Sequence, residues 1–412
     1  MKMRRSESGF TLIELVVVMG TFMVILLISA AAFESIIKGA SRETKLAESQ
    51  VADIIGLELL RIDLEQAGYG LPTSYQQAVV YSEAASQSNF PVADTNPNDM
   101  NIPAAPSPGG TTDPPRPLAG GVNNFYFNNK ATSAPYNGSD YLVIRSTAVA
   151  RNDAAQKWSY VVTGDAPIVS DVVEENFVEG EKCVVVRPVF RPTFRNELVM
   201  PSGAGFYAVV PTDLNPSATA TGNDLRTFYP VDPNEKRIIY GLVDDGVTPR
   251  MPFNRADYYI RRPAADLLPQ RCAPNTGILY KGILNNTTAT GGGGITEIPL
   301  MDCVADFQVV FGLDSSDDGA VDNYADVTFV AALDGVTQRR QVKEVWAFVL
   351  THEGGPDRNY NYPNSTLLVG ENIMMADRGN TFNFATVYGS DNSWRNYRWR
   401  VHKLAVKPKN LF

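Results

Sequence analysis

Glu14 is a carboxylate in a place where carboxylates are costly. It lies in the run Gly9-Phe10-Thr11-Leu12-Ile13-Glu14, and no charge follows from Leu15 to Phe33. Lys2, Arg4 and Arg5 precede the run. A carboxylate within a membrane span costs about 2.5–3.5 kcal/mol on insertion scales, so Glu14 calls for a cationic partner. Nothing basic lies in the two turns after it, which places the partner on another chain or makes it a free amino group. The chemistry offered is charge pairing between subunits. The apolar run meets the length of about 20 residues that a hydrocarbon core requires. The basic head keeps the N-terminal end cytoplasmic and the remainder is exported.

The stretch Gly9-Phe10-Thr11-Leu12-Ile13-Glu14-Leu15-Val16 resembles the processing motif of type IV prepilins and type II secretion pseudopilins. In that family a short basic leader is cut after the glycine and the new terminus is N-methylated. The resemblance implies cleavage after Gly9, Phe10 as the methylated mature terminus, and Glu14 as the assembly residue pairing with the Phe10 amine of a neighbouring subunit. It also implies partners: the prepilin peptidase/methyltransferase, an inner-membrane assembly platform, the major pilin and other minor pilins. Two other readings use the same residues. Ala30-Ala31-Ala32 fits the small-x-small site of a secretory signal peptide, but an h-region usually spans 7–15 residues and ends at that site. Here the run is longer, holds an acid near its start and passes through the alanines as a helical pattern. A plain uncleaved anchor leaves Glu14 unexplained.

A second constellation is Asp314, Ser316, Asp318, Ala320 and Asp322, with Gly319 after the third oxygen donor. Alternating oxygens with a glycine at the turn form the first half of a calcium loop. Asp314, Ser316 and Asp318 would be ligands, with the Ala320 carbonyl and Asp322 completing the shell. Ser316 replaces an acid, Ala325 stands where a bidentate Glu belongs, and no helical pattern flanks the loop. The alternative is a solvated acidic turn. No cofactor is required by any other motif. Cys183, Cys272 and Cys303 lack CxxC spacing, which points away from zinc and thioredoxin-type chemistry. In an exported head, one disulfide and one spare thiol fit, Cys272–Cys303 being the nearer pair.

These residues need elements to position them. The spacing predicts one helix from Phe10 to about Ala67, with 10–33 in the membrane and an apolar stripe of Val51, Ile55, Leu59 and Ile62 in its later part. The stripe broadens to Leu57, Leu60 and Leu64, as a helix buried against a sheet requires. Gly68 and Gly70 then end the helix. Eight prolines between Pro91 and Pro117 mark a long exposed loop over about 82–122. Beyond it, short β-branched and aromatic runs bounded by Gly, Pro, Asn or Asp read as strands. They fall at Tyr141–Arg145, Trp158–Val162, Cys183–Val186, Phe206–Val210 and Arg237–Gly241. Further strands are expected at Asp257–Arg261, Gly277–Leu284, Val304–Phe311, Tyr324–Leu333 and Lys343–Leu350. The fold class is α+β: a long N-terminal pilin-type helix, transmembrane in its first half, packed on a large antiparallel β-rich head at 68–412.

The formal charge of −9 becomes −11 without the leader, because Lys2, Arg4, Arg5 and Glu7 together carry +2. Such a surface does not attract nucleic acid. Trp394-Arg-Asn-Tyr397-Arg-Trp399-Arg-Val401-His-Lys403 interleaves aromatic and basic residues, but its period of two is that of a half-buried strand. With only His352 and His402 present, an HExxH site cannot be built, and no GxSxG elbow or Walker loop occurs. An enzyme is not expected. The stretches Leu59–Leu71, Val304–Asp322 and Arg398-Trp-Arg-Val-His resemble PilW-type minor pilins and the related J-type pseudopilins. That resemblance implies a minor pilin that primes filament assembly and sits at the tip. It would lie in the inner membrane with its head in the periplasm, and then in the pilus. The alternatives are a type II secretion pseudopilin and a secreted or anchored adhesin or carbohydrate-binding head.

Overall fold

The computed structural model describes residues 11–81, 83, 112–121, 125–127, 130–131, 138–190, 194–262, 268–286, 295–389 and 392–411. Gly9, Phe10, the proline-rich residues 84–111 and Gly291–Gly294 lie outside them. The chain divides into two compact units, Met1–Val51 and Ala52–Phe412.

Helix α1 spans Leu12–Glu65. Within the first unit, Leu12–Glu34 has a mean hydropathy of 2.6 and is nowhere buried, so it is long and apolar enough to cross a membrane. Its Thr21 hydroxyl is answered by the helix's own backbone. Thr21 Oγ1 donates to the Val17 and Val18 carbonyls at 3.1 and 3.0 Å, which satisfies a hydroxyl that lipid could not.

From Ala52 onward α1 belongs to the second unit. Its buried positions are Asp53, Gly56, Leu60, Asp63, Leu64 and Ala67 just past its end, a helical face at steps of three and four. This corrects the expected stripe: Ile55 is 57% exposed, while Leu59 and Ile62 are half-buried. The reason lies in Gly56. A Cβ there would stand 2.5 Å from the Leu300 carbonyl oxygen, so the helix backbone touches a strand backbone, and this contact sets the buried face. Gly68 and Gly70 take φ of +81° and +68° as the chain turns away, the left-handed conformation that favours glycine.

The main sheet of the head receives that face. Its antiparallel core strands are β1 (Leu118–Gly121), β2 (Tyr141–Ser146), β3 (Asn254–Arg262), β4 (Gly277–Leu284), β5 (Ile295–Leu313), β6 (Val342–Glu353) and β7 (Arg398–Val406). They lie side by side in the order β7-β6-β5-β4-β3-β2-β1. Leu60, Leu64 and Ala67 pack on one face with Ile144, Tyr258 and Val309. A smaller sheet, centred on Lys182–Val189, covers part of the other face through Val184, Val186 and Tyr240. Elsewhere on that face the hairpin Thr366–Ile373/Ala376–Asn383 packs with Phe384, Trp394 and Trp399.

Two further sequence expectations change. Tyr324–Leu333 is strand only over Asn323–Asp326 and then becomes helix over Val327–Ala332. Asp326 caps that helix by accepting from the Phe329 N–H at 2.8 Å, a start signal that outweighs the β-branched composition. The irregular stretch also stops short of 122, because Leu118–Gly121 pairs with β2 as a mostly buried strand. Of Phe206–Val210, Ala208–Val209 forms the paired strand.

One cluster of four charges lies inside the head. Glu83 Oε2 sits 2.8 Å from both the Arg145 and Arg255 guanidiniums. Arg255 reaches both Asp257 oxygens at 2.7 and 3.0 Å, and the Tyr141 hydroxyl donates to the same carboxylate. None of the four charged residues is more than 2% exposed.

Candidate functional site

At the start of α1, the Thr11 N–H and Oγ1 donate to Glu14 Oε2 at 2.9 and 2.8 Å, and the Glu14 N–H donates back to Thr11 Oγ1 at 3.4 Å. This reciprocal capping box satisfies donors that the first helical turn leaves open. The spacing Thr-x-x-Glu was its signal in the sequence. Glu14 is exposed, so its carboxylate is held in place and available to a cation at the helix N-terminus. Gly9 and Phe10 lie outside the described residues.

Within the second unit, a separate site is the seat of the helix end on the head. Asp63 accepts from the Tyr258 hydroxyl on β3 and pairs with Lys281 on β4. Asp63 is 2% exposed and Lys281 1%. Burial presses the Asp63 carboxyl up and the Lys281 amine down, and each charge opposes that pressure on the other. Glu65 adds a contact to Lys409 at 2.5 Å near the C-terminus. Composition hid this seat: Asp63 interrupts the apolar stripe, and an acid there reads as a solvent-facing residue.

About three turns earlier on the buried helix face of the second unit, Asp53 Oδ2 lies 3.6 Å from His402 Nε2 on β7. Burial lifts the Asp53 carboxyl to about 7, and the charges of Asp302 and Glu353 add to it against Arg271 and Arg400. Burial also lowers His402, whose Nε2 is 3.0 Å from Thr351 Oγ1. The sign follows from linkage. A carboxyl raised above its unfolded value contributes stability below about pH 4, and that contribution is lost as pH rises through 7. His402 acts oppositely, losing stability as pH falls through its lowered value. Asp53→Asn isolates the first term. Its melting temperature should match wild type near pH 4 and exceed it increasingly up to pH 8; a difference independent of pH would refute this assignment.

The acidic loop follows β5. Asp314 accepts from the Asp318 and Gly319 N–H groups at 3.1 and 2.8 Å, and Asp322 accepts from Ser315 and Ser316 at 2.9–3.1 Å. Asp318 accepts from the Ala320 N–H at 2.9 Å. Their oxygens are aimed at backbone donors, and among the described residues no group of three His, Cys, Asp or Glu has the geometry to hold a metal. Ser316 and the Ala320 carbonyl would have to complete any calcium shell against those bonds. Equal melting temperatures in calcium and in chelator are the expected result, and a rise with calcium would assign the loop to the ion.

Cys272 is bonded to Cys303 with Cα atoms 4.9 Å apart. Cys183 is a buried free thiol that burial pushes well up, which makes it inert. Trp394, Tyr397 and Trp399 are at most 7% exposed, so their rings form core and offer no face for stacking on bases. His352 is buried and lowered to about 3, its Nε2 accepting from the Ala273 N–H at 2.8 Å; it is a neutral core residue.

A family model, Type IV Pilus-assembly protein W, matches residues 257–410. The match begins in β3 and runs through β7, so it contains Tyr258, Lys281, Leu300 and His402, all of which face the helix end. No curated protein sequence matches. Among solved structures, a type IV-like pilin, TTHA1219 from Thermus thermophilus, is similar at 12% identity over 38% of this chain and 80% of that one, with a TM-score of 0.18. The similarity to a pilus-assembly protein thus covers the strands of the main sheet on which the helix end is seated.

Proposed function

We propose that the chain is a minor pilin that primes type IV pilus assembly and sits at the filament tip. The observation that carries this reading is one helix with two characters. Its Leu12–Glu34 stretch is strongly apolar and opens on Glu14, and its end is bolted into a head whose residues 257–410 are similar to a pilus-assembly protein. In this reading the leader is cut after Gly9, Phe10 becomes the methylated terminus, and its amine on a neighbouring subunit takes the Glu14 carboxylate. The protein rests in the inner membrane with a periplasmic head and then enters the pilus. Ile54 and Ile55, 65% and 57% exposed on α1, support packing against neighbouring helices. A head spanning 68–412 would crowd a wound shaft, whereas the tip gives it room.

The test is the mass of the mature N-terminal peptide from sheared filaments. A methylated Phe10 is expected, and a chain beginning at Phe33 would overturn the reading. Recovery only from the envelope, and not from surface filaments, would move the protein to type II secretion. Glu14→Ala should lower incorporation into filaments roughly tenfold or more, the factor 1.4 kcal/mol represents, without changing the melting temperature of the head. An unchanged yield of incorporated protein would remove Glu14 from assembly.

A further inference from the structure

The hairpin Thr366–Ile373/Ala376–Asn383 turns through Met374 and Met375 alone, since Ile373 is registered with Ala376. Both turn residues have positive φ, +54° and +61°. A two-residue turn of this kind strongly favours Asn-Gly, and two consecutive long side chains in that conformation are strained. They also gain nothing from burial, because Met374 is 54% exposed and Met375 99%. Strain and exposed apolar surface at one tip oppose stability on two independent counts. Methionine is the side chain that adapts to an irregular apolar pocket and contacts aromatic edges through its sulfur.

The same head carries a recess of that kind. A cleft of about 500 Å³ is lined by Tyr69, Leu71, Phe194, Tyr240 and Val336, with Arg340 among its polar residues. Phe194 is 50% and Val336 57% exposed. Its aromatic and guanidinium content is that of an interface centre. Arg340 is exposed and makes no ion pair among the described residues. Beside the tip, Asp377 bonds to the Asn372 amide at 2.7 Å and likewise has no ion pair among the described residues. We propose that the Met374–Met375 tip of one copy seats in this cleft on a second copy, with Asp377 facing Arg340. Two unlike surfaces meet, so each contact leaves one tip and one cleft free, and association is head-to-tail. This contact is separate from the helix packing proposed above and stands or falls without it.

The test is sedimentation velocity of the full-length chain in detergent micelles at increasing concentration. Wild type should form dimers and longer species. Met374→Asn with Met375→Gly supplies the favoured turn, so it should raise the melting temperature while weakening association at least tenfold. Neither Asp377→Arg nor Arg340→Asp should associate alone, and an equimolar mixture of the two should. A monomeric wild type would overturn the proposal. So would association that survives the turn and charge variants, because that association would belong to the helices.

Discussion

Glu83→Ala is expected to destabilise the head by about 3–5 kcal/mol, the cost of removing one partner from a buried ion pair. Glu83 stands between two guanidiniums that are both 0% exposed, each 2.8 Å from the same carboxylate oxygen. With Asp257 the cluster holds two cations and two anions. Without Glu83 it holds two cations and one anion, a net positive charge that water does not reach. Arg255 stays charged: burial presses its guanidinium down, but Asp257 and Glu83 carry it above its ordinary value. Glu83→Leu with Arg145→Met removes one charge of each sign and leaves Arg255 with Asp257, so it should recover most of the loss. Thermal melts check both, with a fall of roughly 6–10 °C for the single variant. A fall below about 1 kcal/mol, the range of a surface pair, would mean that water enters the cluster.

Asp63→Ala should have an effect of the same size, but local to the helix. It strands Lys281, which is 1% exposed on β4, and leaves the Tyr258 hydroxyl without its acceptor. About 3–5 kcal/mol is again expected, and the loss should appear first as faster amide exchange over residues 52–65 of α1. The paired replacement Asp63→Leu with Lys281→Met puts apolar groups where the ions were. Such exchanges are often neutral or stabilising by about 1–4 kcal/mol, so it should restore the melting temperature. If the double variant is no better than the single one, Asp63 holds the helix through Tyr258 instead of Lys281.

These two clusters show where sequence reading reaches and where it stops. The helix was legible because its signals are local: an uncharged run, a period near 3.6 and two glycines at the end. Strands such as β2, β4 and Lys236–Gly241 were legible from short apolar runs between turn residues. Tyr324–Leu333 was misjudged because one capping side chain, Asp326, overrides a β-branched composition. The expected strand Asp257–Arg261 left Arg255 outside it, although the strand runs over Asn254–Arg262. Glu83, the partner of Arg255, lies 172 residues from it, and no local pattern links them. Met374-Met375 gave no sign of its turn, since the residues that favour positive φ are absent.

The sequence alone determined the processing-type motif, the acid at Glu14, the length and polarity of the apolar helix and the β-rich character of the head. Each of these follows from neighbouring residues through periodicity, chain length or charge. Only the tertiary structure decided which face of α1 is buried, because that rests on Gly56 meeting the Leu300 carbonyl and on Asp63 finding Lys281. Close backbone approach and ion pairing depend on the distance between atoms far apart in the chain, and that distance exists only once the sheet has formed.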